Sequence, residues 1–113
     1  MLNIKDKGKI IQIIEYCKRI NKKVDGCSKE KFNKDIDLIE IVCFNIFQIG
    51  ELVKGLSDDF VSKYDKLPWN LIKGMRDRIG HGYGTIDLDI VYQTAHNDIK
   101  NLYKYCKEII KNN

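Results

Sequence analysis

Residues 34–56 read KDIDLIEIVCFNIFQIGELVKGL, and how this stretch folds settles the fold class. Apolar side chains fall at Ile36, Leu38, Ile39, Ile41, Val42, Phe44, Ile46, Phe47, Ile49, Leu52 and Val53. They show no sustained alternation of period 2, so the stretch is a helix rather than a strand. They also cover more than one helical stripe, and a helix apolar on most sides must be buried on most sides. In a chain of 113 residues that calls for a central position, a second intermolecular face, or both. Both are expected, and with them a homodimer, which helps a short chain cover its apolar surface. Gly50 lies inside this helix, where glycine costs about 1 kcal/mol relative to alanine. It marks close backbone approach rather than a helix end.

The same periodicity extends outward on both sides. Ile10, Ile13, Ile14, Cys17 and Ile20 form one stripe at i, i+3, i+4 and i+7 spacing, which predicts a first helix over about residues 6–21. Gly26 breaks it, and Ser28 is an N-cap for the segment after it. The segment SKEKFNKD reads as a short turn into the long helix, and SDDFVSKYDKL, residues 57–67, as a polar connection. PWNLIKGMRDRI then begins a third helix with Pro68 at its first position, where no amide hydrogen is missed. Its stripe is Leu71, Ile72, Met75 and Ile79, with Lys73 and Arg76 off it, and Gly80, Gly82 and Gly84 stop it. Asp87 caps a last helix running to about Lys111, with Val91, Ala95, Ile99, Leu102, Cys106 and Ile109 facing the core. The expectation is an all-α, up-and-down bundle of four main helices, with room for one short extra helix, in a single domain over residues 1–113.

Composition narrows the function classes. No apolar run approaches the roughly 20 residues that span a bilayer. The start, MLNIKDKGK, has no continuous apolar core of a secretory signal, so a cytoplasmic location is expected. Cys17, Cys43 and Cys106 fall on apolar helical positions, no CxxC pair exists, and no histidine gives zinc spacing. They read as small buried hydrophobes in a reducing compartment, with no metal site and no cofactor. A net charge of +4 is compatible with nucleic acid but is weak evidence alone. No GxGxxG, phosphate-binding loop or DxD cluster is present, which argues against nucleotide-binding or transferase chemistry.

The pattern breaks at residues 74–89, GMRDRIGHGYGTIDLD. Arg76, Asp77, Arg78, His81 and Tyr83 crowd into eight residues threaded with glycine. One reading is phosphodiester chemistry. Arginine binds phosphate as a planar fork and stabilises developing charge. Histidine moves protons near neutral pH. RNA brings its own nucleophile, the ribose 2′-hydroxyl, so it can be cut without a metal. Tyr83 can stack on a base or hydrogen-bond a phosphate. The plainer reading is local: His81 caps helix carbonyls, Arg76 pairs with Asp77 or a carboxylate on another helix, Tyr83 sits at the core edge, and the glycines turn the chain. Spacing alone does not choose between them.

The segment RDRIGHGY, residues 76–83, carries R-x4-H-x-Y and resembles the motif of HEPN-domain proteins, the HepT toxin family in particular. The likeness extends through PWNLIKGMRDRIGHGYGTIDLDIVYQTAHNDI and the upstream FQIGELVKGLS. It implies an all-α homodimer whose paired motifs line a cleft at the subunit interface. It further implies a metal-independent endoribonuclease acting on mRNA or tRNA, the toxin of a type VII-like toxin–antitoxin pair. The partner is then a minimal nucleotidyltransferase antitoxin that attaches AMP to the motif tyrosine. Carried over by position, Arg76 and His81 are the catalytic pair and Tyr83 is the modified and RNA-positioning residue. Asp77 supports by orienting Arg76 or His81, and Arg78 adds phosphate affinity. The alternative is a binding module that pairs with a nucleotidyltransferase or binds RNA without cutting it. One position departs from the family's pattern: Gly80 stands where relatives usually carry a small or β-branched apolar residue, giving a freer loop before His81. Of the remaining candidates, Glu51 is placed to salt-bridge toward the third helix, Trp69 to anchor packing, and His96 to lie at the surface or between helices.

Overall fold

The computed structural model describes residues 2–67, 69–82 and 86–113. Among these there are helices and turns but no strand, as the periodicity predicts. In chain order the helices are α1 (Ile4–Val24), α2 (Lys29–Lys34), α3 (Ile36–Lys54), α4 (Asp58–Lys63), α5 (Trp69–Gly80), α6 (Leu88–Gln93) and α7 (Ile99–Lys111). A π turn over Thr94–Asp98 joins α6 to α7, so the expected last helix is continuous but carries a bulge.

Packing follows the apolar stripes. α3 lies between α1 and α5, and α7 covers the other side of α1. The four long elements therefore stack in the order α5, α3, α1, α7. Ile10, Ile13, Cys17 and Ile20 of α1, Val42, Ile46 and Ile49 of α3, and Val91, Ala95, Ile99, Leu102 and Cys106 of the last helix are all buried. α3 is central, but its wrapping is incomplete: Ile36, Ile41 and Phe44 remain exposed, Phe44 at 57%. The chain alone thus buries two faces of the most apolar helix and leaves a third.

Two short helices replace what the sequence reads as connections. Ser28 accepts from Lys31 N to cap α2, and Phe32 is buried beneath Tyr92, with ring centroids 5.5 Å apart. Ser57 accepts from Phe60 N to cap α4, and Phe60 packs against Trp69. The Trp69 indole is buried and donates Nε1–H to Tyr64 O at 2.7 Å, so this residue is the anchor its position predicts. Each short helix is held by one buried aromatic, and fully burying such a side chain contributes about 1.5–3 kcal/mol. The buried Asp6 carboxylate joins two helix starts: it accepts from Asn3 Nδ2 (2.9 Å), Ser57 N (3.0 Å) and Ser57 Oγ (2.6 Å).

Boundaries shift by a few residues. α1 begins two residues earlier than periodicity alone predicts, because Asn3 caps it through Asp6 N, and it continues to Val24. Asp35 caps α3 through Leu38 N. Leu71 is assigned by spacing to the α5 core stripe, yet it is 43% exposed, while Trp69, Ile72 and Met75 carry the packing. Pro68 and Gly84, two predicted boundary residues, lie outside the described residues.

Candidate functional site at the end of α5

α5 rests on α3, and its motif residues occupy its last turns. The two helices approach closely where Gly50 of α3 faces Arg76. A β-carbon at position 50 would run into Arg76 Cβ, would lie 2.7 Å from Arg76 Cγ and 3.4 Å from Ile72 O. The glycine therefore lets the arginine stem lie directly on the α3 backbone, the close approach that its place in a helix predicts.

From there the Arg76 side chain is gripped at several points. Nε–H donates to Glu51 on α3. Nη1 donates to Asp77 Oδ1 at 2.9 Å. The guanidinium carbon sits 5.1 Å from the Phe47 ring centroid, a cation–π distance. Asp77 first, and Glu51 after it, raise the Arg76 pKa above its already high ordinary value, so the group stays charged. The pairs are partly open to water: side-chain exposure is 25% for Arg76, 42% for Glu51 and 64% for Asp77. The Glu51 contact toward α5 and the Asp77 contact both match the sequence reading.

His81 is the first residue past α5 and is exposed. Its N–H donates to Asp77 O (3.2 Å) and Arg78 O (3.3 Å), extending the helical hydrogen bonds by one residue. The helix ends later than predicted: Gly80 is its last residue, and Gly82 makes the stop. Gly82 has a φ of +110° and donates N–H to Ile79 O at 2.9 Å. A β-carbon at Gly80 would meet Phe47 Cε2 at 3.4 Å, so this glycine is packed on the ring that also faces Arg76. It belongs to the helix, not to a free loop.

The structure brings Arg76 and Asp77 together directly. No hydrogen bond joins the His81 ring to either among the described residues. Spacing explains this: residues five apart lie on different helix faces, whereas Asp77 and His81 are i, i+4 neighbours. Asp77 thus lies between the face of Arg76 and that of His81. Arg78 is exposed, and Tyr83 lies outside the described residues. Phe47 went unread as part of this site. Its spacing to Gly50 and Glu51, i to i+3 and i+4, is the signal that places all three on one α3 face.

His96 is half-buried in the π turn, stacked on Tyr92 with centroids 3.9 Å apart and rings at 27°. Its Nδ1 lies 3.1 Å from Tyr92 O. A carbonyl can only accept, so Nδ1 carries the proton in this contact. That is the helix-packing role its spacing suggests. Among the described residues, no group of three His, Cys, Asp or Glu side chains is placed to hold a metal ion. No described helix is long and apolar enough to cross a membrane.

The model of the family "Ribonuclease HepT-like" matches residues 13–109. The chain belongs to the HepT-like ribonuclease family. It is 36% identical over 99 residues to "Putative RNase TTE0752" of Caldanaerobacter subterraneus, covering 88% of each chain. It is 32% identical over 102 residues to "Putative RNase MJ0127" of Methanocaldococcus jannaschii, covering 90% of this chain and 84% of that one. It is 28% identical over 82 residues to "Probable ribonuclease HepT" of Thermococcus cleftensis, covering 65% of this chain and 74% of that one. No solved structure gives a significant match. The family match spans α3, α5 and the whole R-x4-H-x-Y segment of this HepT-like chain.

Proposed function

We propose that the protein is a metal-independent endoribonuclease whose reactive groups are Arg76 and His81. The observation that carries this reading is the Arg76 guanidinium, charged, partly exposed and held by Glu51, Asp77 and Phe47, five residues before an exposed His81 in a chain of a ribonuclease family. The guanidinium binds the scissile phosphate and stabilises charge as it builds on the equatorial oxygens. The 2′-hydroxyl oxygen attacks phosphorus and loses its proton, and the 5′-oxygen leaves and gains one. His81 moves a proton in this exchange, a contribution typically worth about 10²–10⁴-fold. The products are a 2′,3′-cyclic phosphate and a 5′-hydroxyl.

On this reading the working unit is a homodimer with two copies of Arg76 and His81 facing one cleft. The exposed apolar side chains Ile36, Ile41 and Phe44 on α3 support it, since they lie on the helix that also carries Glu51. Tyr83 positions RNA and is the residue on which a nucleotidyltransferase antitoxin places AMP, so that the chain is the toxin of the pair.

End-group analysis of cut RNA tests the chemistry. Cyclic phosphate on the 5′ fragment and a free 5′-hydroxyl on the other are expected. A 3′-hydroxyl with a 5′-phosphate contradicts attack by the 2′-oxygen. For the partner, mass spectrometry of the chain co-expressed with its nucleotidyltransferase should show AMP on Tyr83. Neutralised activity with an unmodified Tyr83 contradicts that switch.

A further inference from the structure

We infer that Glu51 of α3 is a positioning residue for Arg76: it takes the Nε–H and, with Gly50 and Phe47, fixes the guanidinium from outside the arginine's own motif. This inference rests on the ribonuclease reading of Arg76 and His81.

An arginine side chain is long and flexible, and a phosphate fork works only when its donors are aimed. Arg76 is restrained at both ends. At the base, Gly50 leaves room for Cβ and Cγ against the α3 backbone, which limits the stem to few directions. At the head, Glu51 takes Nε–H and Asp77 takes Nη1. Phe47 lies against the guanidinium, at 5.1 Å from its carbon to the ring centroid. Guanidinium has five N–H donors, and these two carboxylates engage two of its nitrogens. Asp77 sits on α5 itself and moves with it. Glu51 is the carboxylate that refers the guanidinium to a different helix. Glu51, Gly50 and Phe47 share one face of α3, so one rigid element supplies the whole cradle.

A merely structural salt bridge would look alike in coordinates but not in kinetics. The pair is partly exposed, with side chains at 25% and 42%, and such pairs add little to stability. Removing Glu51 should therefore leave the fold intact and disturb the aim of Arg76. Misplacing a reacting group by about 1 Å can cost about 100-fold in rate. Removing a negative charge beside an RNA site should not weaken RNA binding.

The test uses the full-length protein, with Glu51→Ala and Glu51→Gln, and follows single-site RNA cleavage and melting temperature. Glu51→Ala should lower kcat by about 10–100-fold with KM unchanged or lower. Its melting temperature should stay near that of wild type. Glu51→Gln keeps a neutral oxygen acceptor for Nε–H and should recover most of the lost kcat. A Glu51→Ala enzyme with wild-type kcat overturns the inference, as does activity lost only in step with stability. A second readout needs no catalysis. The chain's arginines are Arg19, Arg76 and Arg78, so its Nε–Hε NMR region is sparse. The Arg76 signal, assigned by its loss in Arg76→Lys, should exchange slowly in wild type and quickly in Glu51→Ala. Equal exchange in both overturns the hold of Glu51 on Arg76. If wild type cuts no RNA, the ribonuclease reading falls by itself, and the Arg76 signal still decides whether Glu51 fixes the guanidinium.

Discussion

At the scale of the residue, the molecule turns on one glycine and one arginine. Gly50 has no side chain because Arg76 occupies that space. Gly50→Ala must push α5 away from α3, since the clash is with Cβ and Cγ rather than with a flexible tip. Overpacking of this kind costs about 1–3 kcal/mol, so the variant should melt lower than wild type and lose activity beyond that loss of stability. A variant that melts and cuts like wild type contradicts the close approach. Much of this was legible in the sequence: glycine inside an apolar helix asks for a reason, and Glu51 beside it faces the same neighbour. The grip of Phe47 was not, because an aromatic in an apolar run looks like any core residue until its partner is known. The reading of Gly80 as part of a loose loop failed for a related reason. Glycine after a helical stripe signals an end, but Gly80 packs on Phe47 as the last residue of the helix, and the stop comes at Gly82.

At the scale of the element, the long helices announced themselves and the short ones did not. α1, α3, α5 and the last helix carry stripes long enough for periodicity to show. α2 and α4 have six residues each and one buried aromatic, Phe32 or Phe60, so period has nothing to act on. What marks them is their caps, Ser28 and Ser57. Ser57 is in turn held by Asp6, fifty-one residues away, a contact no local pattern reports. Asp6→Ala leaves the Ser57 N–H and hydroxyl without their acceptor and should destabilise the fold by about 1–3 kcal/mol. A chemical melt showing less than a few tenths of that contradicts the staple. The cysteines give a second check. Cys17, Cys43 and Cys106 are buried, whereas Cys27 is half-buried. Native alkylation should modify Cys27 first, with the others reacting only on unfolding. Fast labelling of all four contradicts the packing of α1 on α7 and α3.

At the scale of the whole molecule, the central helix remains incompletely covered by its own chain. The sequence asked for burial on most sides, and α1 and α5 supply two of them. Phe44, 57% exposed, marks the side left over. Phe44→Glu should convert a dimer to a monomer by light scattering while the helical circular dichroism stays that of wild type, because its ring is not in the monomer's core. A wild-type protein that is already monomeric at micromolar concentration contradicts the shared cleft. The buried thiols set the alkaline limit. Burial pushes Cys43 up to about 11 and Cys106 up to about 12. Cys17 is pushed up as well, by burial first and by neighbouring Cys106 second. In the unfolded chain such thiols ionise near about 8.5, so above that pH the unfolded state loses protons that the native state keeps. Their contribution to stability is complete below about pH 8.5 and declines as pH rises toward the native values. Melting temperature should fall from about pH 8.5 upward, and a flat profile to about pH 10 contradicts this burial.

The central claim is that Arg76 and His81 form a ribonuclease site needing no metal. Its most direct test incubates the purified protein, free of any partner, with total RNA and with tRNA in EDTA. His81→Ala, matched for thermal stability, runs beside it, and mass spectrometry establishes that Tyr83 is unmodified. Cleavage by wild type alone is the predicted result. Equal cleavage by His81→Ala, or no cleavage by a folded, unmodified wild type, contradicts it.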